Sequence, residues 1–511
     1  MRILLLAGSS MLALASPLKA QDTNAPISSD AVETTDAPEA GESQLDTLVL
    51  DEALVAAEAP KPTGDPVVDR LNLLETRIKQ LEARNAQLEQ QAELSEDRLQ
   101  TVETRAAKAA QFSWGPTISE PTGQFTFKPR GVIEADVAAF FERQGGYDYN
   151  NGTAFRRARL GVEGTAYKWF NYRLEVDFAG NQVALTDAYL QYTKIPKTVL
   201  TLGQHKAPFG LESNNSDNYN VFMERGMFTN AFGNVGAERR IGISAAYAPK
   251  ETLNFAVGLF GDNESISRSS GAPITDTPDE SWGFNGRATW EPIFDTGKIV
   301  HLGLSGYYRT ALKSGDIQDA ARLSDRPNIR VDNGNIADTG VITGVKSLLY
   351  AGAEAAAVFG PFTVAGEAGR LWIDRPDASN EHFTGFYGYA SYFLTGETRP
   401  FKGGNFDRVK PFKELGKDGL GAFEVALRYD KLDLSNELCR AVVAPSATCP
   451  AASLFAGTEA QSVTLGLNWY FNPYAKLMFN WVRFSGDNTP LDPVGSKTKG
   501  DAVATRLHLD F

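Results

Sequence analysis

Two cysteines and four histidines in 511 residues are too few for a structural metal cage, which leaves zinc-finger readings out. No stretch after the N-terminus reaches 18 apolar residues, so the mature chain offers no membrane-spanning helix. Methionine is down to five. A formal charge of −13 disfavours a nucleic-acid partner. What is abundant is glycine (47), phenylalanine (30) and tyrosine (17), which suits many turns and strands rather than a Leu/Ala-rich helical body. The length alone would suggest several soluble domains, and the composition argues against that.

Residues 1–20 read as a secretory signal: Arg2, an apolar run over 3–15, then small residues, with cleavage after Ala15 or Ala20. An exported chain without a membrane helix is periplasmic, secreted or a membrane β-barrel. Residues 21–66 are rich in Ala, Pro, Thr, Asp and Glu and poor in aromatics, and read as a disordered acidic spacer. Residues 1–20 carry two basic side chains, residues 21–69 twelve acidic ones against Lys61 alone, and residues 70–109 seven of each sign, which leaves only −4 for residues 110–511. The acidity belongs to the tail.

Residues 67–110 carry a four–three repeat: Val67, Leu71, Leu74, Ile78, Leu81, Asn85, Leu88, Ala92, Ser95, Leu99, Val102, Ala106 and Ala109. This is the a/d seam of a coiled coil, about 65 Å of helix at 1.5 Å per residue. Arg70, Arg77, Arg84, Arg98 and Arg105 fall at g, and Glu75, Glu82, Glu89, Glu96 and Glu103 at e, so in a parallel assembly Arg77 would face a neighbour's Glu82. Asn85 at an a position would set register at some cost in stability. Two strands and three strands both satisfy the seam. The alternative is a single amphipathic helix lying on something else.

Over 111–511, short period-two stretches alternate with turn-rich ones. Leu174, Val176 and Phe178 alternate with Arg173, Glu175 and Asp177; Val463, Leu465, Leu467 and Trp469 with Thr464, Gly466, Asn468 and Tyr470; Phe423, Val425, Leu427 and Tyr429 with Glu424, Ala426, Arg428 and Asp430. Charges sit at strand centres on one face, and aromatics end the other. That suits a wall with lipid outside and water inside. Sixteen segments are expected, starting near residues 130, 155, 171, 185, 199, 240, 253, 282, 299, 347, 362, 383, 422, 462, 474 and 502. Short turns such as Lys168-Trp169, Pro196-Lys197 and Gly360-Pro361 alternate with longer loops, including 205–238, 261–281, 310–346, 431–461 and 485–500. An all-β transmembrane barrel of 16 antiparallel strands, preceded by the α-helical coiled coil, is therefore expected in the outer membrane, with lipids around it and the helix in the periplasm. The turn at 395–420 breaks the rule by its length. The terminal LHLDF supplies a last strand that can pair with the first and leave no edge. Cys439 and Cys449 share one outward loop, where a local disulfide is expected.

The runs FRRARLGVEGTAYKWFNYRLEVDF (155–178), DAYLQY (187–192), LGQHKAPFGLE (202–212), FMER (222–225), YFLTGETRPF (392–401) and GLNWYFNPY (466–474) resemble the phosphate-selective porin O/P family across roughly 112–511. The resemblance implies a homotrimeric sixteen-stranded barrel passing anions such as phosphate or polyphosphate, without cofactor or metal. It also implies that the third outward loop and one long periplasmic turn fold into the lumen, and that inward arginines lead to the narrow zone. The 395–420 turn fits that inward element. Phosphate-specific members carry extra lysines in the third loop; residues 213–220 here have none.

Alternation puts Arg157 and Arg159 on the lumen face of the second strand, Arg173 on the third and Arg240 on the sixth, with Arg287 and Arg309 on later strands. Lys206, Arg225 and Arg239 flank the third loop. These nine are the expected anion-binding residues, since guanidinium forks match phosphate oxygens. Glu134, Asp136, Glu163, Glu175, Asp177 and Glu354 are available to pair with them, in which case they are structural. His205, His301 and His508 have no nucleophile at a catalytic spacing, so an enzyme is not expected. The remaining alternatives are a general porin for other solutes and an envelope-tethering role, with the coiled coil touching the cell wall.

Overall fold

A computed structural model describes residues 64–112, 116–120, 122–144, 148–261, 280–310, 313–314, 317–376, 380–435, 458–487 and 497–511. The signal sequence, most of the acidic spacer and both cysteines lie outside the described residues. The chain divides into two units, 1–97 and 98–511.

Helix α1 (Pro66–Ala109) starts with proline at its first position, where the missing N–H would have no partner anyway. The Asp65 carboxylate accepts the Val67 amide at 2.9 Å, and Asp69 adds negative charge to the first turn. Among the described residues the seam is uncovered: Leu71, Leu74, Ile78, Leu81 and Leu88 are each more than half exposed.

The second unit is a closed antiparallel barrel of sixteen strands. They are β1 (Thr126–Gln144), β2 (Gly152–Ala166), β3 (Phe170–Asp177), β4 (Ala184–Tyr192), β5 (Thr198–Lys206), β6 (Arg239–Lys250), β7 (Leu253–Phe260) and β8 (Trp282–Asp295), then β9 (Lys298–Thr310), β10 (Ser347–Phe359), β11 (Phe362–Asp374), β12 (Glu381–Phe393), β13 (Ala422–Asp433), β14 (Glu459–Tyr470), β15 (Ala475–Asp487) and β16 (Lys497–Asp510). Each strand pairs with the next, and β16 closes on β1 with Arg506 opposite Asp136 and His508 opposite Glu134. All sixteen expected segments are strands. Closure is what lets a sheet cross a bilayer, because every backbone N–H and C=O finds a partner without water. The terminal Phe511 exchanges backbone hydrogen bonds with Gly131 at 3.1 and 3.2 Å. Its ring occupies the space a Cβ on Gly131 would need.

The outward faces are apolar, with Phe155, Leu160, Leu304, Trp290, Phe284 and Leu427 among the exposed side chains. The buried core does not lie between sheets. It lies in the lumen, where the loop residues Phe209, Leu211, Phe222, Met227, Phe228 and Phe232 are almost inaccessible. Within the loop between β5 and β6, helix α2 (Met227–Gly236) crosses the inside of the barrel.

Candidate functional site

Pro208 and Gly210 end β5 and turn the chain inward, with Gly210 at φ 57°. The Glu367 carboxylate, from β11 on the far wall, accepts the amides of Leu211 (2.9 Å) and Glu212 (2.6 Å). Glu212 in turn accepts the Gly226 amide at 2.8 Å, and Asp430 accepts the Met227 amide at 3.1 Å. Acidic groups therefore hold the start of α2, where its free N–H groups and dipole favour negative charge. Along α2, Phe228 and Phe232 pack on Tyr387 and Tyr350 at centroid distances of 5.9 and 6.0 Å, and the Tyr307 hydroxyl donates to the Phe232 carbonyl at 2.8 Å. Gly236 and Gly385 permit this approach: a Cβ would come within 2.2 Å of the Tyr307 ring at one and 2.3 Å of Phe228 at the other.

The opposite flank of the loop is held by charge. Asp217 meets Arg159 at 3.2 Å, Arg157 at 3.3 Å, Lys206 at 3.7 Å and, more closely still, Arg225. Burial works against its ionisation, but Arg157, Arg225, Lys206 and Arg159 together hold its carboxyl well below the usual range. Glu224 is bound by Arg156 (2.8 Å), Arg506 (2.7 Å) and Arg330 (3.5 Å), and its pKa is lowered in the same way against the cost of burial. Lys206 donates to the carbonyls of Ser213 (3.1 Å) and Asn215 (3.0 Å), and Lys476 to those of Asn218 (3.0 Å) and Asn220 (3.1 Å).

From the short-turn side, residues 395–420 rise to meet this loop. The Phe406 amide donates to the Asn215 side chain at 3.0 Å, and Arg399 donates to the Tyr219 carbonyl at 3.2 Å while pairing with Glu424. Arg408 lies between the rings of Tyr219 and Tyr474, 5.2 and 4.4 Å from their centroids, and binds Asp510. A third element enters from the long-loop side. Residues 320–346 bury Leu323, Ile329, Ile336 and Val345, and Asn328 donates to Asp430 (2.9 Å) and Ser462 (2.7 Å). Asn230 on α2 donates to Asp325 at 3.0 Å. Length alone had marked 310–346 as an ordinary outward loop. Its spaced apolar residues, Ile329, Val331, Ile336, Ile342 and Val345, were the signal available for its burial.

Between the third loop and the wall, a water-accessible cavity of about 280 Å³ remains. Five basic side chains line it (Arg130, Arg159, Arg173, Lys206, Arg239) against three carboxylates (Glu175, Asp187, Asp217). Of the nine expected residues, four therefore face this space. Each has a carboxylate partner: Arg159 with Asp177 at 2.9 Å, Arg173 with Glu163 at 2.7 Å, Arg239 with Asp187 at 2.8 Å, and Lys206 with Asp217. Arg157 is buried under the loop, and Arg225 is buried within it. Arg240 donates to the carbonyls of Asn234 (3.3 Å) and Val235 (3.0 Å) at the end of α2. Arg287 binds Glu354 and donates to the Gly404 carbonyl at 2.7 Å, anchoring the inward turn. Arg309 is inaccessible and donates to the Gly261 carbonyl at 2.7 Å. Residues not singled out from the sequence include Arg130, Arg156 and Arg330. The first two lie on strands, where alternation could have found Arg130; Arg156 points inward only because a bulge shifts the register of β1 and β2.

Residues 127–511 match the model of the family described as "Phosphate-selective porin O and P". The chain belongs to this family. Porin O of Pseudomonas aeruginosa is 28% identical over 438 residues, covering 78% of this chain and 91% of that one. An uncharacterized protein of Caulobacter vibrioides is 34% identical over 334 residues, 65% of this chain and 66% of its own length. Among solved structures, the DcaP channel of Acinetobacter baumannii aligns with a TM-score of 0.47 at 13% identity (77% and 99% of the two chains), and an anion-selective porin from Comamonas acidovorans with 0.45 at 13% (75% and 100%). The chain is thus an outer-membrane porin, a channel protein, and its inward loop and turn meet inside its lumen.

Proposed function

We propose that this porin passes anions, phosphate among them, by passive diffusion as a homotrimer. The observation that carries the reading is the excess of basic over acidic side chains lining the polar cavity beside the third loop. Two unit charges 4 Å apart interact by about 4 kcal/mol at an effective dielectric of 20, so Arg159, Arg173 and Lys206 can offset much of the hydration an anion loses on entry. Their carboxylate partners keep each site weak, which a channel needs for release. With no lysine over residues 213–220, chloride and phosphate should both pass. Reversal potential in a chloride gradient, with and without added phosphate, tests this: an anion-directed potential reduced by phosphate is expected, and a cation-directed one overturns the reading.

A second reading concerns α1. Its uncovered seam and its g/e charge pattern support a parallel coiled coil in the periplasm that clamps the subunits and reaches toward the cell wall. Removing residues 64–110 should leave conductance intact and lower the temperature at which the oligomer dissociates. Unchanged dissociation would remove the clamp, and equal sedimentation with cell-wall sacculi would remove the tether.

A further inference from the structure

We infer that the outer wall of the barrel carries a binding site for an anionic lipid, formed by an apolar groove over β8–β12 and the guanidinium of Arg370. The floor of the groove follows from strand alternation. Along the middle of β10 the outward positions are Ala351, Ala353, Ala355 and Ala357, between the outward Leu349 and Phe359, and on β11 Gly366 and Ala368 lie beside them, with Ala353 opposite Ala368 and Ala355 opposite Gly366. Small side chains over two adjacent strands leave the wall thin. Trp290, Leu302, Leu304 and Phe386 stand up around it, enclosing a groove of about 840 Å³. A second depression of about 590 Å³ continues from it across Leu302, Ala355 and Gly366. Its length and greasy lining suit acyl chain.

A groove of small residues is not in itself a site. The independent observation is Arg370. It faces outward on β11, one step beyond Ala368 toward the long-loop end and opposite Ala351. Its guanidinium lies 5.5 Å from the Trp372 ring, its Nε is buried without a hydrogen-bond partner, and among the described residues no carboxylate comes within ion-pairing distance. Three other outward cations toward the same rim are neutralised: Lys431 by Glu459 at 2.5 Å, Arg483 by Asp501 at 2.9 Å and Lys497 by Asp487 at 3.2 Å. A guanidinium on the lipid-facing side of a barrel is costly unless something answers its charge, and on this face the available partner is a headgroup. A phosphate there takes charge-assisted hydrogen bonds from Arg370, while one acyl chain runs along the alanine floor.

The test uses the full-length porin in detergent, titrated with bisphosphorylated lipid A, phosphatidylglycerol or phosphatidylcholine and read by native mass spectrometry. The two anionic lipids should be retained under activation that strips phosphatidylcholine. Arg370→Ala should lower retention about tenfold, as expected for one lost charged hydrogen bond, and Arg370→Lys should restore part of it. Ala353→Phe, which fills the floor, should lower retention while leaving the headgroup ligand in place. Neither residue faces the lumen, so unchanged single-channel conductance reports correct folding. Equal retention of phosphatidylcholine, or wild-type retention by both Arg370→Ala and Ala353→Phe, overturns the site. Dissociation of subunits by Ala353→Phe with lipid retention unaltered also overturns it, because the groove would then be a seam between copies of this chain.

Discussion

The third loop is held in the lumen by two unlike flanks. On one side α2 buries Phe228 and Phe232 against tyrosines of β9, β10 and β12, a dry contact of rings. On the other, Asp217 and Glu224 are bound by arginines and a lysine, of which Arg159 and Lys206 also line the polar cavity. The dry flank is a fixed anchor, because packing is lost only as a whole. The ionic flank meets water as well as structure: Arg159 and Lys206 line the cavity and bind Asp217, and in the proposed function they also serve a passing anion. A porin that positioned its loop by charges alone would have nothing left to hold it when an anion competes for those charges.

The contrast can be broken in order of expected effect. Phe232→Ala should cost about 3–5 kcal/mol of local anchoring, as for other large-to-small changes at buried aromatics, and hydrogen exchange over residues 207–238 should rise without loss of the barrel. Asp217→Asn leaves Arg157, Arg159, Arg225 and Lys206 facing a neutral side chain; a cost of about 3 kcal/mol to loop stability is expected, together with a larger anion preference in reversal-potential measurements. Arg173→Ala, at a more open position, should cost less than about 1 kcal/mol in stability yet reduce anion over cation permeability several-fold.

The smallest effect expected is that of acid, and its sign separates the flanks. Asp217 and Glu224 have pKa values lowered in the fold, so the stability they supply is present above the unfolded value, about 4, and lost only as pH falls through the lower folded one. Glu212 and Asp325 have theirs raised, chiefly by burial, so they take up protons first and the fold gains slightly as pH falls toward about 4. Conductance should therefore stay nearly flat from neutral pH to about 4 and become noisy below it. A rise in loop mobility near pH 6 would show that the ionic flank is not clamped as described.

Much of this was legible in the residues. Period-two patterning located all sixteen strands, because a wall between lipid and water imposes opposite demands on alternate side chains, and the long 395–420 segment stood out among short turns. The role of each arginine was less accessible. Arg287 and Arg309 look like Arg159 in the sequence, yet one fastens the inward turn and the other caps a rim carbonyl. Nor did length reveal that residues 320–346 turn inward to bury their isoleucines.

What the sequence determined alone was the wall: strand number, which face meets lipid, and the closing of the last strand on the first, all consequences of local alternation and of a bilayer that tolerates no open edge. What only the tertiary structure decided was the lumen. Arg506 finds Asp136 across 370 positions of chain, and Asp217 gathers cations from two strands and from its own loop, so the balance of charge a solute meets depends on distances that no local pattern encodes.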